Sequence, residues 1–358
     1  MEKQQTLEMI AGFSNARGVS GFEDEVLEVA RRYGAPYASF REDSLRNLYF
    51  DRRDNTGGKP VVMLDAHSDE VGFMVHYIQP NGTLHFVPLG GWVAGNVAAH
   101  TVRVRNANGE YIPGIIASKP PHFMSEAERK QAQDISQMVI DVGASSAEEV
   151  RDVFKIRVGA PVVPDVTFSY QEAHDLMLGK AFDCRLGCAA IVSTLAALAG
   201  EKLHVDVVGA MASQEEVGGR GAVVTANAVK PAAAIVFEGC PADDTFASPA
   251  AVQTRIKAGP YLRHMDARMI TNPRFQRMAL DLGERLGIPV QDGVRTGGST
   301  NGAAIHLSNS GVPCIVIGLP VRYIHTHYGF AAYADFEHAV RLACEILRRL
   351  DQNVIDGF

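Results

Sequence analysis

A chain of 358 residues, 46% hydrophobic and 21% charged, has the composition of an ordinary folded protein, long enough for two domains or one large domain with an insertion. Its formal charge of −7 argues against a general nucleic-acid surface and against attraction to anionic membranes. No apolar run reaches the roughly 18 residues of a spanning helix. The start, Met1-Glu-Lys-Gln-Gln-Thr, is not that of a signal peptide. The five cysteines, 184, 188, 240, 314 and 344, are odd in number and scattered, the usage of a reducing compartment, so a cytoplasmic globular protein is expected.

The first 35 residues read as two helices, with Ser20-Gly-Phe-Glu-Asp-Glu as a capped start for the second. A strand follows over 46–52, then a turn at Asp54-Asn-Thr-Gly-Gly-Lys. The apolar run Val61-Val-Met-Leu, of the kind found in a buried strand, ends in Asp65-Ala-His-Ser-Asp-Glu. From Gly72 to about Pro164 short strands at close spacing, divided by turns such as Pro80-Asn-Gly and Asn106-Ala-Asn-Gly, predict a small antiparallel barrel or sandwich. Within it, Ser145-Ser-Ala-Glu-Glu starts a short helix. An α/β rhythm resumes at about Val166. It gives helices over 186–199, 222–229, 273–286 and 335–350, and strands ending at Met211, at Phe237 and at Gly318. The expected fold is α/β: a mixed sheet sandwiched by helices, formed by residues 1–71 and 166–358, with an inserted β-rich domain over 72–165.

Chemistry-bearing residues gather where strands end. Glu215 and Glu216 follow the strand that ends at Met211, His67 and Asp69 follow the strand begun at Val61, Glu238 follows Phe237, and His325 lies just past Gly318. Open α/β sheets place ligands at these carboxyl ends. Asp183, immediately before a helix, suits either an N-cap or a carboxylate bridging two cations. Histidines and carboxylates without thiolates suit Zn, Co or Mn, and two such ions about 3.5 Å apart need a shared carboxylate. In His-x-Asp, Asp69 can hold the second ring nitrogen of His67. Cys184 and Cys188 make no zinc pair, since no second pair stands at matching spacing.

Several segments resemble the M42 metallo-aminopeptidases, some of which carry older endoglucanase or fructose-operon names. These are Asp65-Ala-His-Ser-Asp-Glu-Val-Gly, Gly179-Lys-Ala-Phe-Asp-Cys-Arg-Leu-Gly-Cys, Ser213-Gln-Glu-Glu-Val-Gly-Gly-Arg-Gly-Ala and Arg322-Tyr-Ile-His. Ile115-Ile-Ala-Ser-Lys-Pro-Pro-His and Ile140-Asp-Val-Gly-Ala-Ser-Ser resemble the family's inserted domain. The resemblance runs in order over roughly residues 60–330. It implies a zinc-exopeptidase-like fold with two divalent ions per subunit and assembly through the insert into dimers and hollow dodecamers. It also implies removal of the N-terminal residue from short peptides by a metal-activated water. Carried over by position, His67, Asp183 and Glu238 would bind one ion and Asp183, Glu216 and His325 the other. Glu215 would be the general base, and Asp69 would orient His67.

Two departures from the family pattern bear on the site: Glu238 stands where many members have Asp, and Asn301 replaces an acidic residue near the expected substrate pocket. His327 competes with His325 as a ligand. His122 and Trp92 read as packing or interface residues, and the loops 259–268 and 297–302 are candidates for the pocket wall. A deacylase of N-acyl amino acids and a non-catalytic family member are the alternatives. A glycosidase needs two carboxyls flanking a sugar and no metal, and here the carboxylates come mixed with histidines, so it fits poorly.

Overall fold

The computed structural model describes residues 1–131 and 133–358. Helices α1 (Lys3–Asn15) and α2 (Asp24–Gly34) form where apolar residues recur on one face, and Met9, Ile10, Phe13, Val26 and Leu27 are buried as a result. Strands β1 (Ala38–Glu42), β2 (Leu48–Arg52) and β3 (Val61–His67) follow. Next come six strands: β4 (Gly72–Ile78), β5 (Leu84–Leu89), β6 (Thr101–Arg105), β7 (Tyr111–Ile116), β8 (Val139–Asp141) and β9 (Pro161–Pro164). They close into a barrel in the order β4-β5-β8-β7-β6-β9. The short helices α3 (Glu126–Lys130) and α4 (Ala147–Asp152) are capped by Ser125 and Ser146, each accepting an N–H three residues on. The barrel has its own core, in which Phe73, Phe86, Val102, Val104, Ile140 and Val162 are buried.

Beyond it lie β10 (Ser169–Gln171), β11 (Leu176–Gly179), α5 (Phe182–Ala197), β12 (Asp206–Ala212), α6 (Arg220–Val229) and β13 (Ala233–Pro241). The chain ends with β14 (Tyr261–Met265), α7 (Pro273–Leu286), β15 (Gln291–Val294), α8 (Gly302–Ile305), β16 (Cys314–Val321), β17 (Gly329–Ala332), α9 (Tyr333–Arg349) and α10 (Gln352–Asp356). Eight strands form one mixed sheet, ordered β1-β2-β12-β3-β13-β16-β14-β15. Its centre, β12, β3, β13 and β16, is parallel and buried on both faces, so these strands read as unbroken apolar runs. Alternation sorts their side chains. Val62, Leu64 and Ala66 join the core under α1, α5 and α9, whereas Met63 joins Ala222, Ala226 and Ile305 beneath α6 and α8.

The expected fold class is therefore the observed one, and of barrel or sandwich the closed barrel is present. Several strands differ from expectation. Pro161-Val-Val-Pro, bounded by prolines, pairs with β4 and β6, and Tyr261–Met265, lacking alternation, pairs with β16 and β15. Such short segments become strands through partners distant in sequence. Among the described residues no helix is long and apolar enough to cross a membrane.

Candidate metal centre

Four neighbouring parallel strands deliver side chains to one end of the sheet. β3 ends at His67, opposite Ala212 at the end of β12, and Glu238 of β13 lies opposite Gly318 of β16. The turn after β12 carries Glu215 and Glu216, and the loop after β16 carries His325, whose φ of 58° is left-handed. Asp183 comes from the opening of α5, where it has the non-helical φ/ψ of −85° and 108° and a cis peptide to Cys184. Ala181, not Asp183, occupies the N-cap position. The sheet admits Asp183 at that spot because residue 239 is glycine: a Cβ there would lie 2.7 Å from the Asp183 Cα.

Asp183 sits between two histidines. Its Oδ1 is 3.1 Å from His67 Nε2, and its Oδ2 is 3.3 Å from His325 Nε2. His67 Nε2 is also 3.2 Å from Glu238 Oε1, and His325 Nε2 is 3.4 Å from Glu216 Oε2. Two sets of donor atoms result, each within 4.8 Å of one another: His67, Asp183 and Glu238 with Cys184, and Asp183, Glu216 and His325. The Cys184 thiol donates to the Phe237 carbonyl at 3.2 Å, and burial pushes its pKa well up.

The electrostatics of this cluster fit cations. Burial, reinforced by Asp183, pushes the Glu216 carboxyl well above its usual range. Burial likewise raises Glu238, with Asp183 and Glu215 adding to it. Asp183 goes the other way: burial opposes its ionisation, but hydrogen bonds with His325 and His67 hold it low. His67 is raised well above its ordinary value because Glu238 and Asp183 outweigh its burial. Glu216 Oε1 and Glu238 Oε2 are buried without a hydrogen-bond partner. Unpartnered carboxylate oxygens beside imidazoles are the hard and borderline donors that divalent cations take, and a cation would reverse the burial-driven shifts.

Glu215 belongs to neither donor set; it lines the adjoining cavity, and burial followed by Asp183 and Asp69 pushes its carboxyl up to about 7. Fully buried Asp69 accepts the Glu215 N–H on Oδ1 at 2.9 Å. Its Oδ2 takes the Glu216 N–H at 3.2 Å and the Ser20 hydroxyl at 2.6 Å. Towards His67 Nδ1 its backbone carbonyl is nearer, at 3.1 Å, than its Oδ1, at 3.4 Å. Ser20 therefore serves Asp69 instead of capping α2, whose N-cap is Glu23. Two further residues escaped the sequence reading. Glu23 Oε1 accepts the Gln214 N–H at 3.2 Å and Asn47 Oδ1 accepts the Ser213 N–H at 2.8 Å. Only the acid in Ser20-Gly-Phe-Glu hinted at the first, and it reads equally well as a helix start.

The cavity beside the cluster is about 760 Å³, with Asp183, Glu215, Glu216, Glu238 and His325 at one end. Its other walls include the loops 263–268 and 295–304, with Ser299, Thr300 and three arginines, and Gly218, Gly219 and Val223. Arg295 is committed to Asp243 at 2.9 Å and to Thr254 and Pro241. Arg263, 5% exposed, reaches Asp266 at 3.1 Å but leaves Nε without a partner. Arg268 is exposed and forms no ion pair among the described residues. Asn301 lies behind this wall, not in it. It is fully buried, and its side-chain amide donates to Asp65 Oδ1 at 2.7 Å. His327 turns away from the cluster and stacks on His100 at 3.9 Å, and His122 is exposed on a short 3₁₀ turn.

The model of the family described as M42 glutamyl aminopeptidase matches residues 47–342. The glutamyl aminopeptidase of Lactococcus lactis subsp. cremoris is 30% identical over 349 residues, 97% of each chain. The solved TET aminopeptidase from the marine sediment archaeon Thaumarchaeota archaeon SCGC AB-539-E09 superposes with a TM-score of 0.94 at 36% identity over 99% of each chain. The Pyrococcus horikoshii TET1 peptidase, which can assemble into a tetrahedron or a large octahedral shell, gives 0.86 at 26% identity over 96% of this chain and 100% of its own. With the family model matched over residues 47–342 and a 30% identical relative over 97% of the chain, the chain belongs to the M42 glutamyl aminopeptidase family of hydrolases.

Proposed function

We propose that the protein is a dinuclear metal-dependent aminopeptidase that removes acidic N-terminal residues from short peptides. The observation that carries this reading is the pair of donor sets sharing Asp183 at one end of an arginine-walled cavity. His67, Asp183 and Glu238 would hold one cation and Asp183, Glu216 and His325 the other. When bound, Zn, Co or Mn ions supply Lewis-acid polarisation of the scissile carbonyl, acidify water at the site and anchor the substrate's free α-amino group.

Glu215 serves as general base. It faces the cavity without belonging to either donor set, and its carboxyl can take a proton from water and return it to the leaving amine. Asp69 holds Glu215 and Glu216 through their backbone N–H groups and keeps His67 turned by Nδ1, so that Nε2 faces the donor set. Arg268, without an ion pair among the described residues, and Arg263, with Nε unpartnered there, supply charge-assisted donors for a side-chain carboxylate in the N-terminal position. Like the Lactococcus relative, the enzyme would then favour glutamyl peptides. The barrel over 72–165 serves as the assembly domain, building dimers and from them a dodecamer.

The test is a panel of glutamyl, leucyl and lysyl p-nitroanilides, each free and N-acetylated, assayed after chelation and re-addition of cations. Metal-restored cleavage of free substrates with glutamyl preferred is expected. Equal cleavage of acetylated substrates would favour a deacylase, and none at all a non-catalytic member.

A further inference from the structure

The barrel reaches into the centre itself. Between β5 and the next 3₁₀ turn, Gly90-Gly91-Trp92 runs beside two donors of the second set. The Gly91 carbonyl is 3.0 Å from His325 Nδ1. A Cβ at Gly91 would stand 3.1 Å from that Nδ1, and one at Gly90, whose φ is +82°, 3.1 Å from Glu216 Oε2. Both glycines therefore let backbone approach where any side chain would crowd a donor.

Trp92 pins this turn to the barrel. Its Nε1–H donates to the Gly72 carbonyl at 3.2 Å, and its ring stacks on Phe73 with 4.7 Å between centroids. On its other side it meets His327 at 5.1 Å, and His327 stacks on His100 of the barrel. The loop carrying His325 is thus gripped by the barrel at two places: through Gly91 at His325 itself and through the aromatic stack two residues later.

We infer that the Gly90–Trp92 turn is a positioning element of the second cation site, acting through the Gly91 carbonyl on the Nδ1–H of His325. A carbonyl that accepts from Nδ1 fixes the proton there and leaves the Nε2 lone pair for a cation. The inference rests on the two-cation reading and adds that the barrel, beyond any part in assembly, completes the centre.

Calorimetric titration of chelator-stripped protein with Co²⁺ tests it, with His325→Ala identifying the second equivalent. Wild type is expected to bind two equivalents, and Gly91→Ala to weaken the second roughly 10- to 100-fold while leaving the first unchanged. A readout that needs no variant is the fluorescence of Trp92, the single tryptophan, which is expected to follow the second equivalent and not the first. Unchanged binding in Gly91→Ala, equal weakening of both equivalents, or fluorescence that follows the first equivalent would overturn the inference while the two-cation reading stands. A wild type that binds one equivalent overturns both.

Discussion

Four consecutive backbone N–H groups, those of Ser213, Gln214, Glu215 and Glu216, are each held by a buried side chain from another element: Asn47, Glu23 and both oxygens of Asp69. Gln214 is held in the left-handed region, at φ 55°, within this grip. Without Glu23 two N–H groups, those of Gly21 and Gln214, would lose their acceptor. Each unpaired group costs on the order of 1–3 kcal/mol, and a displaced base loses rate steeply. Glu23→Ala is therefore expected to lower kcat about 10- to 100-fold with little change in KM or cation content. Glu23→Gln, whose amide oxygen still accepts, should keep most of the rate; equal loss in both variants would sink the acceptor role. The residues proposed for the site (His67, Asp183, Glu215, Glu216, Glu238, His325) could be named because each stands at a strand or helix end in a short linear motif, and the structure brings them together. Glu23 and Asn47 were not, since their roles exist only where α2 and β2 pack on the turn after β12. Asn301 stands near the pocket, next to the cavity-lining Thr300, as expected; its hydrogen bond to Asp65 behind it was not legible, for the same reason.

Among elements, the long apolar runs of the central strands and the 3.6-residue pattern of α7 were plain in the sequence, and α7 spans Pro273–Leu286 as expected. β14 was not, yet the loop after it carries Arg268 to the wall of the cavity proposed to take substrate. Reversing that charge tests the loop's part in selection. Arg268→Glu is expected to lower kcat/KM for glutamyl substrates about tenfold or more and to raise it for lysyl ones; an unchanged ratio in the p-nitroanilide panel would remove Arg268 from the pocket. At the start of α9, Asp335 accepts the N–H groups of Lys257 at 2.6 Å and Gly259 at 2.7 Å, tying down the segment that leads into β14. Burial nevertheless pushes its carboxyl up to about 6, from 3.8. A raised folded-state value means that the folded protein binds the proton more tightly. Asp335 therefore favours folding most below about pH 4 and contributes progressively less until about pH 6. Asp335→Asn mimics the protonated form and should gain on wild type as pH rises through that window, by on the order of 2 kcal/mol in urea titrations at about pH 4 and pH 7. A constant difference would contradict this.

For the whole molecule, the change in texture after Gly72 marked the barrel before any strand pairing was known, because close-spaced strands and Asn-Gly turns cannot build a βαβ crossover. What the sequence could not show is where the barrel sits, and hence that Gly91 touches the centre. Val93, Ile115, Phe123, Val153 and Val158 are large apolar residues left exposed on or beside the barrel, Phe123 at 73%. Such surface suits burial against further copies of the chain. Ile115→Glu combined with Phe123→Glu is expected to shift light-scattering mass from a large assembly toward smaller species, and an unchanged mass would place the interface elsewhere.

On the proposed reading, the strand-end cluster hydrolyses peptides with Glu215 moving the proton. The most direct measurement is turnover of a glutamyl p-nitroanilide by Glu215→Gln protein whose bound cations are counted in the same sample. The amide cannot take a proton, whereas the donor sets on Asp183 are left intact. Two cations per subunit with kcat lower by roughly 10²- to 10⁴-fold is the predicted result. Turnover near that of the wild type with both cations bound would contradict it.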